Sequence, residues 1–186
     1  GFVDRFTDYY GWCEQVLTEL LRVSPVVWWS FNSQHTIEMA VLVKRLGCVV
    51  KPCVQTFTFG QNRRTDLGNG HRPLWRLSTS EPTLYPEQVK VPSWRILNGD
   101  KRAADGGCVP LDVFDFPRVT GNSKQRRRWH PTQLHEGLVE RCIKLTTHEG
   151  EKVLDPFGGA GTTLRVCKAI NRECTLIELS PVYCER

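Results

Sequence analysis

The run Val153-Leu154-Asp155-Pro156-Phe157-Gly158-Gly159-Ala160-Gly161-Thr162-Thr163 constrains this chain more than any other stretch. Its three glycines stand between a strand-like run, Lys152 to Pro156, and a helical pattern, Thr162 to Ile170. A glycine turn at such a junction lets the backbone approach a ligand closely. The helix start adds unpaired N–H groups and the positive end of a dipole. Cys174 to Leu179 supplies a second strand, so the end of the chain reads as a β-α-β unit of a parallel sheet. Glu178 follows Asp155 by 23 residues, at the end of that second strand, where an acidic side chain accepts the hydroxyl protons of a ribose. Turn and acid together point to a ligand containing adenosine.

Spacing then narrows the ligand. A phosphate-binding P-loop requires Gly-Lys-Ser/Thr, and the first Lys after Gly161 is Lys168. The dinucleotide fingerprint requires a third glycine where Leu164 stands. S-adenosylmethionine has a ribose and a carboxylate but no phosphate, and fits what remains. The plain structural alternative is a tight strand-to-helix turn with a solvent-facing glutamate.

Upstream the pattern is again α/β. The first 23 residues form a helical stripe through Trp12, Val16, Leu17, Leu20, Leu21 and Val23, stopped by Pro25. Val26 to Phe31 reads as a strand covered on both faces. Ser33 opens a second helix through Ile37, Ala40, Val41, Val43 and Leu46, with Gly47 as its cap, and Cys48 to Phe59 is a long strand. Helical spacing returns from Pro131 to Thr147 through Leu134, Leu138, Cys142 and Ile143. Between them, residues 60–128 lose periodicity, with strand-like islands at 74–77, 89–97 and 111–116. This segment carries 13 Lys and Arg against 7 Asp and Glu, whereas the remainder has 12 against 13. A basic segment in a near-neutral frame points to a polyanionic partner.

The 186 residues suit one domain with an elaboration, and 40% hydrophobic against 24% charged residues excludes a disordered chain. No apolar run is long enough for a membrane span, and Gly1-Phe2-Val3-Asp4-Arg5 has no secretory character, so no membrane association is expected. The 8 cysteines are scattered without a Cys-x-x-Cys pair and read as buried or free thiols rather than disulfides or metal ligands. Pro52-Cys53 matches the dipeptide of a carbon-5 cytosine nucleophile, but its strand-like surroundings make Cys53 a core residue.

The ordered series Arg128-Trp129-His130-Pro131-Thr132-Gln133-Leu134, Leu138-Val139-Glu140-Arg141-Cys142-Ile143, the glycine run and Glu178-Leu179-Ser180 resembles the C-terminal half of the amino-group DNA methyltransferases. These enzymes methylate adenine N6 or cytosine N4, often within restriction-modification systems. The resemblance is densest from Pro117 to Arg186. Trp28-Trp29-Ser30-Phe31 and Phe57-Thr58-Phe59-Gly60-Gln61-Asn62 are compatible with the middle of the same family.

The resemblance implies a Rossmann-like α/β methyltransferase fold, with a mixed, mostly parallel sheet and flanking helices. Residues 1–59 and 129–186 would form the core, and 60–128 a target-recognition insertion. It assigns Asp155, Phe157, Gly158, Gly159, Gly161, Thr162 and Glu178 to S-adenosyl-L-methionine, with His130, Thr132 and Gln133 lining its methionine end. Arg126, Arg127 and Arg128 become phosphate contacts, and Arg63, Arg64, Gln61, Asn62 and Arg76 contacts to base edges. The implied partners are double-stranded DNA and a restriction endonuclease counterpart. The implied setting is the cytoplasm of a bacterium or phage-infected cell, as monomer or homodimer.

The family's catalytic tetrapeptide, Asp/Ser/Asn-Pro-Pro-aromatic, holds a flipped base and does not occur in these residues. In the permuted order implied here it would precede Gly1, which makes the chain a fragment expected to bind cofactor poorly and catalyse little by itself. Two further readings are a catalytically inactive DNA-binding remnant and a methyltransferase for RNA or protein.

Overall fold

The computed structural model describes residues 8–61, 64–102, 106–121 and 123–185, with backbone alone at 58–61. The chain divides into two compact units, Gly1–Pro82 and Thr83–Arg186.

The first unit opens with α1 (Tyr9–Val23), whose start is set by Asp8: the carboxylate accepts from the Gly11 N–H at 2.9 Å. Cys13 and Leu17, four residues apart, are its buried positions, and Trp12, Val16, Leu20 and Leu21 pack beside them. Strand β1 (Val26–Ser30) follows Pro25, and a 3-10 turn (Ser33–His35) leads into α2 (Thr36–Arg45). This helix turns a different face inward from the stripe read in the sequence. Met39, Leu42 and Val43, spaced i, i+3, i+4, are buried, whereas Ile37 is 78% and Val41 61% exposed. Both faces of α2 carry apolar residues, so periodicity alone could not choose between them. Gly47, at φ +70°, ends the helix, its N–H reaching Lys44 O at 3.1 Å.

The expected long strand is two strands, β2 (Val49–Lys51) and β3 (Val54–Gln61), interrupted at Pro52 and the buried Cys53. Proline lacks the N–H that a continuous ladder would need there. Strand β4 (Asn69–Ser78) lies at the centre. It pairs with β1 along Leu74–Ser78, with β2 along Arg76–Ser78 on its other edge, and with β3 through Asn69 and His71–Pro73. All three ladders are antiparallel. β1 and β2 therefore run in one direction, as a crossover through α2 requires, but β4 lies between them. The α/β class with flanking helices holds, while the expectation of a mostly parallel sheet is corrected in this unit. Gly70 and Pro73 give Asn69–Ser78 an irregular composition, yet Leu74, Trp75 and Leu77 are buried, the last at 0% exposure.

In the second unit a 3-10 turn (Pro86–Val89), a one-turn helix α3 (Trp94–Leu97) and a short strand β5 (Val113–Asp115) stand where longer strand islands were expected. Pro92 and the Ser93 cap favour the turn and helix over a strand. Then come α4 (Glu136–Thr146), β6 (Lys152–Asp155), α5 (Thr162–Ala169), β7 (Glu173–Leu176) and α6 (Pro181–Cys184). α4 starts at Glu136 because the ring of His135 caps it, accepting from Gly137 N–H at 3.1 Å, and Leu134 stays outside the helix. Leu138, Val139, Cys142 and Ile143 are its buried face. β6 and β7 pair in parallel from Lys152↔Glu173 to Asp155↔Leu176, with α5 as the crossover between them. This is the β-α-β unit that the glycine run predicts. Among the described residues no helix is long and apolar enough to cross a membrane.

Candidate functional site

Asp155 ends β6 and organises the turn behind it. One carboxylate oxygen accepts from the Phe157 N–H at 2.9 Å, and the other from the Thr163 hydroxyl at 2.6 Å. The turn therefore enters α5 already tied to its first residues. Gly158 packs where no side chain fits, since a Cβ would stand 2.6 Å from Leu176 Cγ, and its N–H donates to Ile177 O at 2.8 Å. Gly159 and Gly161 lie at φ +49° and +67°, a region that L side chains adopt with strain. Gly161 is the N-terminal boundary of α5, and no side chain caps that helix start.

Glu178 follows β7 and reaches across to the turn. Its Oε2 accepts from Gly159 N–H at 2.7 Å and its Oε1 from Ser180 N–H at 2.8 Å. The N–H groups of Ser180, Gly159 and Leu179, with His130 nearby, hold this carboxyl below the usual range against the opposing effect of burial. It is thus an ionised acceptor at neutral pH, and each oxygen keeps lone-pair capacity for a further hydroxyl.

His130 closes the other side. Its ring lies against Gly159, where a Cβ would meet Nε2 at 2.8 Å. The ring is buried, and its Nδ1 has no hydrogen-bond partner among the described residues. Tyr183 on α6 stands 5.0 Å from the His130 ring and 5.4 Å from Trp129. Asp155, Gly158, Gly159, Gly161, Thr162, Glu178 and His130 are thereby brought into one cluster. Phe157 projects from it, 52% exposed.

Thr132 is exposed in the loop before α4. Gln133 plays a structural part, since its Oε1 accepts from Arg127 N–H at 2.9 Å and its Nε2 donates to Gln125 O at 2.7 Å. It folds the arginine-bearing loop onto itself. Arg127 and Arg128 are exposed, whereas Arg126 is half-buried and donates to Val119 O at 3.5 Å. Of the base-edge candidates, Arg64 is exposed and Arg76 lies in the centre of β4 in the first unit, paired across to Trp28 and Lys51. Asn62 and Arg63 fall outside the described residues, and Gln61 is described by its backbone alone.

Three contributors escaped the sequence reading. Arg165 donates to Glu136 Oε1 at 3.1 Å, to Ala160 O at 2.7 Å and to Thr162 Oγ1 at 3.4 Å, binding the glycine turn to the start of α4. Its acidic partner lies 29 residues upstream, so no helical spacing announces the pair. Thr163 holds Asp155, and Tyr183 covers His130. Cys167, on the buried side of α5, has its thiol pushed up to about 12 by burial and by the neighbouring Cys174, which removes it as a nucleophile at neutral pH.

Comparison with known proteins identifies the chain's relatives. A protein-family model described as DNA methylase matches residues 3–186. The chain is 38% identical over 105 residues to the Type II methyltransferase M.HpaI of Haemophilus parainfluenzae, covering 55% of this chain and 32% of that protein. It is 41% identical over 75 residues to the DNA adenine methyltransferase YhdJ of Escherichia coli K12, covering 40% and 25% respectively. The matches thus span about a third or less of the length of these curated relatives. Among solved structures, the cytosine-N4-specific PvuII DNA methyltransferase superposes with a TM-score of 0.72 at 15% identity over 98% of this chain and 73% of that one. A complex of M1.HpyAVI with SAM does so with a TM-score of 0.61 at 21% identity, over 96% and 80%.

Proposed function

Because the chain belongs to the DNA methylase family, we propose that it carries the cofactor-binding and DNA-reading parts of an S-adenosylmethionine-dependent DNA methyltransferase acting on adenine N6 or cytosine N4. The observation that carries this reading is the set of Glu178, Gly159 and His130: an ionised acceptor, a backbone position with no room for a side chain, and a buried imidazole whose Nε2 edge lies against that glycine. That donor and acceptor set fits the cofactor. When bound, the cofactor supplies a methyl group on a cationic sulfur.

The residues of the cluster then divide the work of binding. Glu178 accepts from the ribose hydroxyls through its remaining lone pairs. Asp155 holds the turn open by engaging Phe157 N–H and Thr163. Phe157 offers an exposed ring to the adenine, and the uncapped start of α5 beside Gly161 and Thr162 offers N–H groups to a carboxylate. His130 and Thr132 face the methionine end, while Gln133 acts indirectly by shaping the arginine loop. Arg127 and Arg128 are the exposed guanidiniums for DNA phosphate, with Arg126 partly withdrawn. Arg64 and Arg76, with Gln61, Asn62 and Arg63, remain the proposed base readers of segment 60–128. Double-stranded DNA is the proposed substrate. The Type II names of the relatives support a restriction endonuclease as counterpart.

Two measurements test the reading. Titration calorimetry with S-adenosylmethionine should show binding by this chain, weakened about tenfold or more by Glu178→Gln, the loss of a charged acceptor. The protein expressed from its native gene should move labelled methyl onto the exocyclic amine of duplex DNA. Cofactor binding unaffected by Glu178→Gln, or label appearing only on protein or RNA, overturns it.

A further inference from the structure

Val91 and Cys108 bracket the part of the chain that carries α3. Its ends are joined by a two-way backbone bridge, Val91 N–H to Cys108 O at 3.0 Å and Cys108 N–H to Val91 O at 2.9 Å. Just after Val91 comes α3, a single turn too short to be stable by itself. Caps hold it at both ends. Ser93 Oγ accepts from Ile96 N–H at 3.2 Å, and Asn98 Nδ2 donates to Trp94 O at 2.7 Å. Gly99, at φ +68°, closes the turn with its N–H on Ile96 O at 3.0 Å.

This fixed turn presents apolar residues to solvent. Trp94 and Leu97, three residues apart on one face, are 78% and 67% exposed. Trp94, Ile96 and Leu97 together make a contiguous exposed apolar patch on a preorganised element, the kind of surface that marks a contact site. Its surroundings specify the partner. From Val89 to Cys108 there are 4 Lys and Arg against 2 Asp. Lys90, Arg95 and Lys101 are exposed, and no described residue pairs with the Arg95 side chain. Arg102 is held to Asp100 by two hydrogen bonds of 3.0 Å.

Resting on the DNA reading above, we propose that α3 is a wedge for DNA: the Trp94 indole stacks on or enters between bases, Leu97 widens the contact, and Arg95, Lys90 and Lys101 hold the flanking phosphates. Apolar wedges flanked by cations are how proteins unstack a base step, and indole stacking tolerates any base. The sequence readers are then separate from the wedge, which acts on stacking rather than on hydrogen-bonding edges.

The test is fluorescence anisotropy of this chain on a labelled, mixed-sequence duplex across a salt series. Trp94→Ala should weaken binding about tenfold while leaving the salt slope unchanged, since no charge is lost, and Trp94→Phe should restore most of it. Arg95→Gln should weaken binding and lower the slope by about one phosphate. Thermal melting of Trp94→Ala should match wild type, because the ring is exposed. If Trp94→Ala binds as wild type while the combined Arg126→Gln, Arg127→Gln, Arg128→Gln variant loses binding, the wedge is overturned and the DNA reading stands. If the wild-type chain binds no duplex even at low salt, both are overturned.

Discussion

Gly159 and Gly161 separate two reasons for a glycine. Both have positive φ, but a Cβ at Gly161 would meet only the end of Arg165 at 3.8 Å, whereas one at Gly159 would strike His130 Nε2 at 2.8 Å. Gly161→Ala should therefore cost about 1 kcal/mol of backbone strain and retain cofactor binding. Gly159→Ala should cost more and abolish it, because the methyl displaces the ring that lines the site. Paired melting curves and calorimetry decide between these outcomes. Glu178 makes a second residue-level prediction. Its folded-state pKa lies below its unfolded value, so its contribution to stability is present above the ordinary glutamate pKa of about 4.3 and disappears as pH falls through the lower folded value. The melting-temperature gap between wild type and Glu178→Gln should be constant above about pH 5.5 and close in acid. The acid itself was legible from its 23-residue spacing to Asp155. Its reach back to Gly159 N–H was not, because that bond depends on where the turn lies after β6 and β7 have paired.

The β6-α5-β7 unit was readable as an element because glycine, helix period and strand run agree with one another there. What locks it to α4 was not. Arg165 crosses between helices to Glu136, and both side chains are partly solvent-exposed, at 29% and 37%. Arg165→Met should then lower stability by only about 1 kcal/mol once solvent screening is counted, yet raise the cofactor dissociation constant severalfold by loosening Ala160 and Thr162. Arg165→Lys, which cannot make the same three-way fork, should rescue stability more than binding. Urea denaturation and calorimetry on the pair of variants measure both effects; binding that falls no more than stability would leave Arg165 a packing residue. On α2 the element was legible and its orientation was not. Ile37 and Val41 satisfy helical spacing as well as Met39, Leu42 and Val43 do, and only the position of the sheet decides which set is buried.

At the scale of the whole molecule, the first unit depends on β4, of which the sequence shows only the island 74–77. Leu77, fully buried in β4 between β1 and β2, joins Leu17, Trp29 and Met39 in one apolar cluster. Leu77→Ala should cost about 2–5 kcal/mol through a central cavity. Hydrogen exchange should then show protection lost together across α1, α2 and β1 to β4, and loss confined to β4 would argue against a single cooperative unit. Local patterns in the chain were enough for the helices, the glycine turn, the acid that follows it and the basic bias of the middle segment. Tertiary structure alone decided which strand lies between β1 and β2, which face of α2 turns inward, and how Arg165, Thr163 and Tyr183 close around the site. Those outcomes rest on pairings between residues far apart in the chain, and a pattern of period two or 3.6 records a residue's own face but not the partner that covers it.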